Sequence, residues 1–148
     1  MKQFKKNLIL IYVMGSMYMT IEGLWRGWTN ISMLFVGGLC AFLIDTLNEY
    51  PSFRNKKMWI QCLFGTIITL VIELLSGLVL NVWLGYHIWD YSMDFGNILG
   101  QICPLYGLFW FWLMPLCIFT GDFLRYYIFG EEKPNSLLDN YKKLFLNK

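Results

Sequence analysis

Glu73 is the residue whose position most needs a chemical reason. It is the sole charged side chain between Lys57 and Asp90, in a stretch made mostly of Leu, Ile, Val, Phe and Trp. A carboxylate at the centre of a membrane helix costs about 2.5–3.5 kcal/mol on insertion scales, so such residues persist where they are used or paired. Thr66, Thr69, Glu73, Ser76, Gly77 and Asn81 follow one another in steps of three and four, which places them on one helical face. That face must meet protein or water. It suits a substrate or proton path through Glu73, and equally a protonated carboxyl hydrogen-bonded to a neighbouring helix, with Ser76, Gly77, Asn81 and Asp45 as helix-packing polar positions.

A second set gathers chemistry of another kind. Glu22 and Arg26 are four residues apart, the spacing at which a helix brings opposite charges together. Trp25, Trp28, Thr29 and Asn30 surround them. A later loop adds His87, Trp89, Asp90, Tyr91 and Asn97, with Gln101 close behind. Convergence of the two would build a vestibule able to hold a zwitterion, a sugar or a lipid head group. The competing reading is an ion pair and an aromatic belt that seat the helices.

Enzyme signatures are lacking. The sequence holds no Gly-x-x-x-x-Gly-Lys loop, no Gly-x-Ser-x-Gly elbow and no His-Glu-x-x-His helix. Cys40, Cys62, Cys103 and Cys117 form no Cys-x-x-Cys pair, and His87 is the single histidine, so neither a metal nor another cofactor is implied. The cysteines read as packing residues. A net charge of +2 without a basic, aromatic-interleaved stripe argues against nucleic acid as a partner.

The elements that position these residues follow from hydropathy. The chain is 57% hydrophobic and 15% charged, with the charges clustered. About 20 apolar residues span a bilayer core. Spans are expected at 7–25, 31–48, 58–84 and 104–126, the last kinked by Pro115, with a short re-entrant or interfacial piece at 98–103. The fold class expected is therefore all-α: a four-helix transmembrane bundle over 1–129, then a polar tail at 130–148.

Lysine and arginine orient it. With the N-terminus inside, eleven of the twelve basic residues are cytoplasmic and Arg26 alone lies outside, which requires an even number of spans. Both termini are thus expected in the cytoplasm of a bacterial cell, with Trp25, Trp28, Trp83 and Trp89 at the outer interface. The first span reads as retained, since no Ala-x-Ala-like cleavage site follows it. In the second span Gly37, Gly38, Ala41 and Asp45 form a small-residue seam, and Asp45 is placed to reach water, Arg54 or Arg125. Asp122 is placed similarly in the fourth. In the tail, Ser136 and Asp139 resemble a capping box, and Leu137, Leu138, Tyr141, Leu144 and Phe145 share a face, as in a helix lying on the cytoplasmic leaflet.

Several strings resemble a known family. Glu22-Gly-Leu-Trp-Arg-Gly-Trp-Thr-Asn30, Gly37-Gly-Leu-Cys40, Asn48-Glu49, Glu73-Leu-Leu-Ser-Gly77 and Trp89-Asp-Tyr-Ser92, with Asn97 and Gly100, are similar to small bacterial ABC-transporter permeases of the CmpB type. The resemblance covers about 22–110 and implies a permease-like membrane protein, without catalytic residues to carry over. Four spans enclose only a thin-walled pathway, so transport would require a homodimer or another membrane subunit, with membrane lipids around it and a small-molecule substrate. The rival functions are a non-catalytic assembly or regulatory subunit, and an enzyme acting on a lipid or envelope precursor through Asp90.

Overall fold

In the computed structural model, which describes residues 2–147, the chain is helical, with no strand among those residues. Helix α1 (Lys2–Arg26) ends at Gly27, whose φ of +80° turns the chain without the penalty a Cβ would carry. Helix α2 (Ser32–Asn48) begins where Asn30 accepts hydrogen bonds from the Ser32 amide and hydroxyl at 3.0 and 2.8 Å. A single turn, α3 (Pro51–Arg54), leads to α4 (Met58–Gly77), which continues as a wider π-helical stretch over Leu78–Trp83. Helix α5 (Pro104–Phe129) starts on a proline, which has no amide to leave unpaired, and runs through Pro115. Helix α6 (Leu137–Phe145) is capped by Ser136, which accepts the Asp139 amide at 3.1 Å and donates to its carboxylate at 2.7 Å.

Helix α4 has its polarity inside out. Cys62, Gly65, Thr66, Thr69, Glu73 and Gly77 are buried, whereas Leu63, Ile67, Val71, Leu75 and Val79 form an exposed ridge on the other side. Outward apolar ridges and inward polar groups suit a lipid solvent. Three helices, α1, α4 with its π-helical extension, and α5, are long and apolar enough to cross a bilayer, while α2 is apolar but shorter at 17 residues.

Helix α2 is the hub of the bundle, packed on α1, α4 and α5. Its seam of small residues faces α1. A Cβ on Gly38 would come within 2.5 Å of the Ile11 carbonyl, and one on Gly15 of α1 within 2.1 Å of the Leu34 carbonyl. Contact between α1 and α5 is sparser, and a cleft opens between them.

Residues 98–103 form no helix. The Ile98 amide donates to the Ile102 carbonyl at 2.9 Å, closing a tight turn whose Gln101 and Cys103 are buried and whose Ile98 and Leu99 are exposed. The tail helix also differs from a purely surface-lying one. Leu144 packs with Met58, Cys62 and Ile118, Phe145 lies 5.5 Å from Trp112, and Tyr141 donates to the Trp112 carbonyl at 2.8 Å. The chain removes an amide at Pro115, three residues on, and α6 supplies a donor beside the disturbed ladder. Leu138, placed on the same apolar face by its spacing, stays 71% exposed.

Candidate functional site

Glu73 is 4% exposed and is held by two neutral donors. The Tyr91 hydroxyl reaches one carboxylate oxygen at 3.1 Å, and Trp110 Nε1 reaches the other at 3.0 Å. Three elements thus meet there: α4, the loop before α5, and α5. Thr66, Thr69 and Ser76 contribute nothing to that grip, because their hydroxyls bond carbonyls of α4 itself. Burial, and then the adjacent Glu73 charge, raises the Tyr91 hydroxyl above the ordinary tyrosine range, so it remains a proton-bearing donor.

The loop that delivers Tyr91 is clamped to the end of α4. Gln101 lies against Gly77, where a Cβ would come within 2.3 Å of its amide oxygen. Asn81 donates to that oxygen at 2.9 Å and accepts the Ile88 amide at 2.7 Å, while Trp89 donates to the Gln101 carbonyl at 3.0 Å. Tyr91 then stacks on Tyr106 with ring centres 4.5 Å apart. Gly77, Asn81 and Trp89 therefore seat the loop, rather than contacting Glu73.

Glu22, 9% exposed, is served by Arg26 at 2.7 Å, Thr29 at 2.5 Å and more weakly by Tyr18 at 3.5 Å. Arg26 also donates to the Ile88 carbonyl at 2.8 Å and lies 4.8 Å from the Trp28 ring, joining α1 to the same loop. Its Nε is buried without a partner. Tyr18 connects the two carboxylates, since its ring packs 5.4 Å from that of Trp110. Trp25 is 66% exposed and leans edge-on against Phe109.

Asp90 and Asn97 lie apart from this group. Asp90 is exposed and accepts the amide and hydroxyl of Ser92, bonds that hold its carboxyl below the usual aspartate range. Asn97 donates to the Ser92 and Asp94 carbonyls at 3.1 and 2.9 Å. Both shape a turn that closes at Gly100, whose φ is +69° and whose missing Cβ leaves room for Asp90.

Two cavities share a wall at this site. The inner one, about 90 Å³, holds Glu73 and Thr69 among apolar side chains. The outer one is the α1/α5 cleft, about 590 Å³. Tyr18, Ile21, Trp110 and Leu113 line both. Trp110 is thus simultaneously partition and hydrogen-bond donor to Glu73. Neither Trp110 nor Tyr18 stood out in the sequence; the available signal was that a tryptophan N–H in an apolar span needs an acceptor.

At the opposite end of the bundle acidic and basic side chains meet directly. Arg125, 2% exposed, meets Asp122 at 2.5 Å, Asp45 and Glu49 at 3.5 Å and Glu131 at 3.7 Å. Lys6 bridges Glu49 and Glu131 at 2.8 and 2.7 Å. Gly121 makes room for Asp45, which a Cβ there would approach to 2.6 Å.

Residues 4–128 match the family described as "Putative ABC-transporter type IV". The chain belongs to this family. Its matched portion reaches beyond 22–110 to cover nearly all of the four long helices, and stops short of α6. No curated protein and no solved structure matches the chain. As a member of this ABC-transporter-type family with bilayer-length apolar helices, it is a transport-related membrane protein.

Proposed function

We propose that the chain is a four-span, permease-like subunit of the bacterial cytoplasmic membrane, with both termini in the cytoplasm, in which Glu73 is the proton- or substrate-binding group of a path that opens outward past Glu22 and Arg26. The observation that carries this reading is the setting of Glu73. Its carboxylate is gripped by neutral donors alone, and one of them, Trp110, forms the wall between an inner cavity and an open cleft. Moving the Trp110 ring would free a carboxylate oxygen and breach the wall in one step. A carboxylate without a fixed cation can exchange a proton or a cationic group as the path changes. Asp45, by contrast, is engaged by Arg125 and serves the bundle.

The inner cavity is small, so a continuous pathway needs a second wall, supplied by another copy of the chain or by a different membrane subunit. Asp90 and Asn97 belong to the turn that positions Tyr91, with Asp90 open to the outer aqueous side.

The test is proton flux into liposomes containing the purified protein, driven by a potassium diffusion potential and read by an enclosed pH dye. Flux is expected for the native chain and is lost in Glu73→Gln, with unchanged insertion and helicity. Equal flux in both proteins would overturn the assignment and favour a role in assembling a larger membrane complex.

A further inference from the structure

The inner cavity leads away from the outer cleft as well as toward it. From Glu73 and Thr69 it extends along α2 and α5 to Ala41, Ile44, Cys117 and Thr120, so its far end lies one residue short of Asp45. A third cavity of about 10 Å³ begins there, beside Asp45, Asn48 and Gly121, and Met14, Ala41, Ile44 and Cys117 line both. Glu22, Glu73 and Asp45 thus stand on three cavities in series. Trp110 divides the first pair, and Ile44 with Cys117 divides the second.

Asp45 is seated by Arg125 yet remains open on its cavity side. The guanidinium stands 3.5 Å from one carboxylate oxygen, and among the described residues no donor makes a hydrogen bond to that carboxylate. Past it, Arg125 and the part-exposed Glu49 and Glu131 carry the line to the cytoplasmic end of the bundle. The third cavity selects the passenger. About 10 Å³ is the least space that admits one water, and Leu10, Met14, Ile44 and Ile118 offer nothing to a solute with several polar groups. A proton needs only an oxygen at each stage, and carboxylates in series inside a membrane serve as such relays.

We propose that the inward limb of the path runs from Glu73 to Asp45 across the Ile44–Cys117 partition, and that its passenger is a proton. This rests on Glu73 being the binding group of the path and narrows what it binds. The Glu73 carboxyl gives its proton to water in the inner cavity, and that water passes a proton to the Asp45 carboxylate. Asp45 then releases it toward Glu49 and the cytoplasm. Glu73, ionised again, takes the next proton from the outer side when Trp110 moves.

The test uses the full chain in the liposome flux assay, with two variants that leave Glu73 and its donors untouched. Asp45→Asn keeps the shape of the side chain and removes the proton acceptor. Arg125 retains Asp122, Glu49 and Glu131 in that variant, so its charge stays compensated. Cys117→Leu thickens the partition, growing into the cavities on either side without altering a carboxylate. Both are expected to lose proton flux down to the leak of protein-free liposomes, with native helicity by circular dichroism. Native flux is expected to be unchanged when external sodium is exchanged for choline. Native rates in Asp45→Asn or Cys117→Leu, while Glu73→Gln stays silent, would overturn the inward limb and leave the Glu73 assignment standing. Native rates in Glu73→Gln would remove both. A native chain with no proton flux, or with flux that requires sodium, would overturn the proton as passenger. If Asp45→Asn loses its helicity, Cys117→Leu decides alone.

Discussion

The carboxylates of this chain divide by the company they keep. Asp45 and Asp122, both under 10% exposed, share the guanidinium of Arg125, and removing that cation leaves Asp45 uncompensated and Asp122 with only Arg54, at 4.0 Å. Arg125→Met is expected to destabilise the protein by about 3–5 kcal/mol, seen as a large fall in Tm in detergent; a Tm within a degree or two of the native one would show that the network holds nothing. Glu49 has a subtler part. Burial alone would raise its carboxyl, but the Lys6 hydrogen bond and the charges of Lys6 and Arg125 outweigh that and hold it below the ordinary glutamate range. A carboxyl lowered on folding stabilises the fold above its unfolded pKa of about 4.3, and that contribution fades as pH falls through the lower folded value. Acid unfolding curves of Glu49→Gln should therefore converge on the native protein's below about pH 4 and separate from them above it. Glu73 differs from all three, with no lysine or arginine on its carboxylate among the described residues. Its cost was legible in the sequence; its partners were not, because Tyr91 and Trp110 lie 18 and 37 residues away and reach it only through tertiary packing.

At the scale of elements, the sequence carried the helices and the seam, but not the pairings. Gly27, Pro104 and Gly130 stand where α1 ends and where α5 begins and ends, whereas α1 starts at Lys2, ahead of the apolar run expected from 7. Gly37 and Gly38 announced a close approach; that α1 is the partner depends on Gly15, an isolated glycine with no local signature. Glu22, Trp25, Arg26 and Tyr91 in the cleft were legible, but its α5 wall was not, since the cleft opens where α1 packs on α2 and only sparsely on α5. Packing of α1 on α2 gives a controlled comparison. A side chain at Gly15 collides with the Leu34 carbonyl, whereas one at Gly23 meets nothing within 4 Å. Gly15→Leu is expected to cost about 1–3 kcal/mol or to part the helices, and Gly23→Leu to be nearly neutral, as read by thermal unfolding of the two variants side by side. Similar melting of both would mean that the two helices do not rely on that contact.

For the molecule as a whole, the proposed four-span topology turns on α2, which at 17 residues and about 26 Å must cross the bilayer with its longer neighbours. Side-chain ties at both ends support the proposed crossing. Lys6 of α1 binds Glu49, just beyond the C-terminus of α2, and Arg125 of α5 binds both Glu49 and Asp45. At the other end, Arg26 of α1 binds the loop that follows α4, and Thr29, just ahead of α2, binds Glu22. Helix α2 thus covers nearly the same depth as the twenty-one residues from Lys6 to Arg26, about 30 Å, which matches a hydrocarbon core. Single cysteines at exposed Asn55, Ser92 and Lys133, set against native cysteines that are buried or partly buried, make the topology measurable. In intact cells a membrane-impermeant maleimide should label Ser92→Cys at once, and Asn55→Cys and Lys133→Cys only after lysis. If α2 failed to cross while α1 did, all three would invert, with positions 55 and 133 reactive outside and position 92 protected. That inverted pattern would also carry Lys56 and Lys57 outward against the positive-inside bias, and would set the Ile88 loop across the membrane from the Arg26 that binds it.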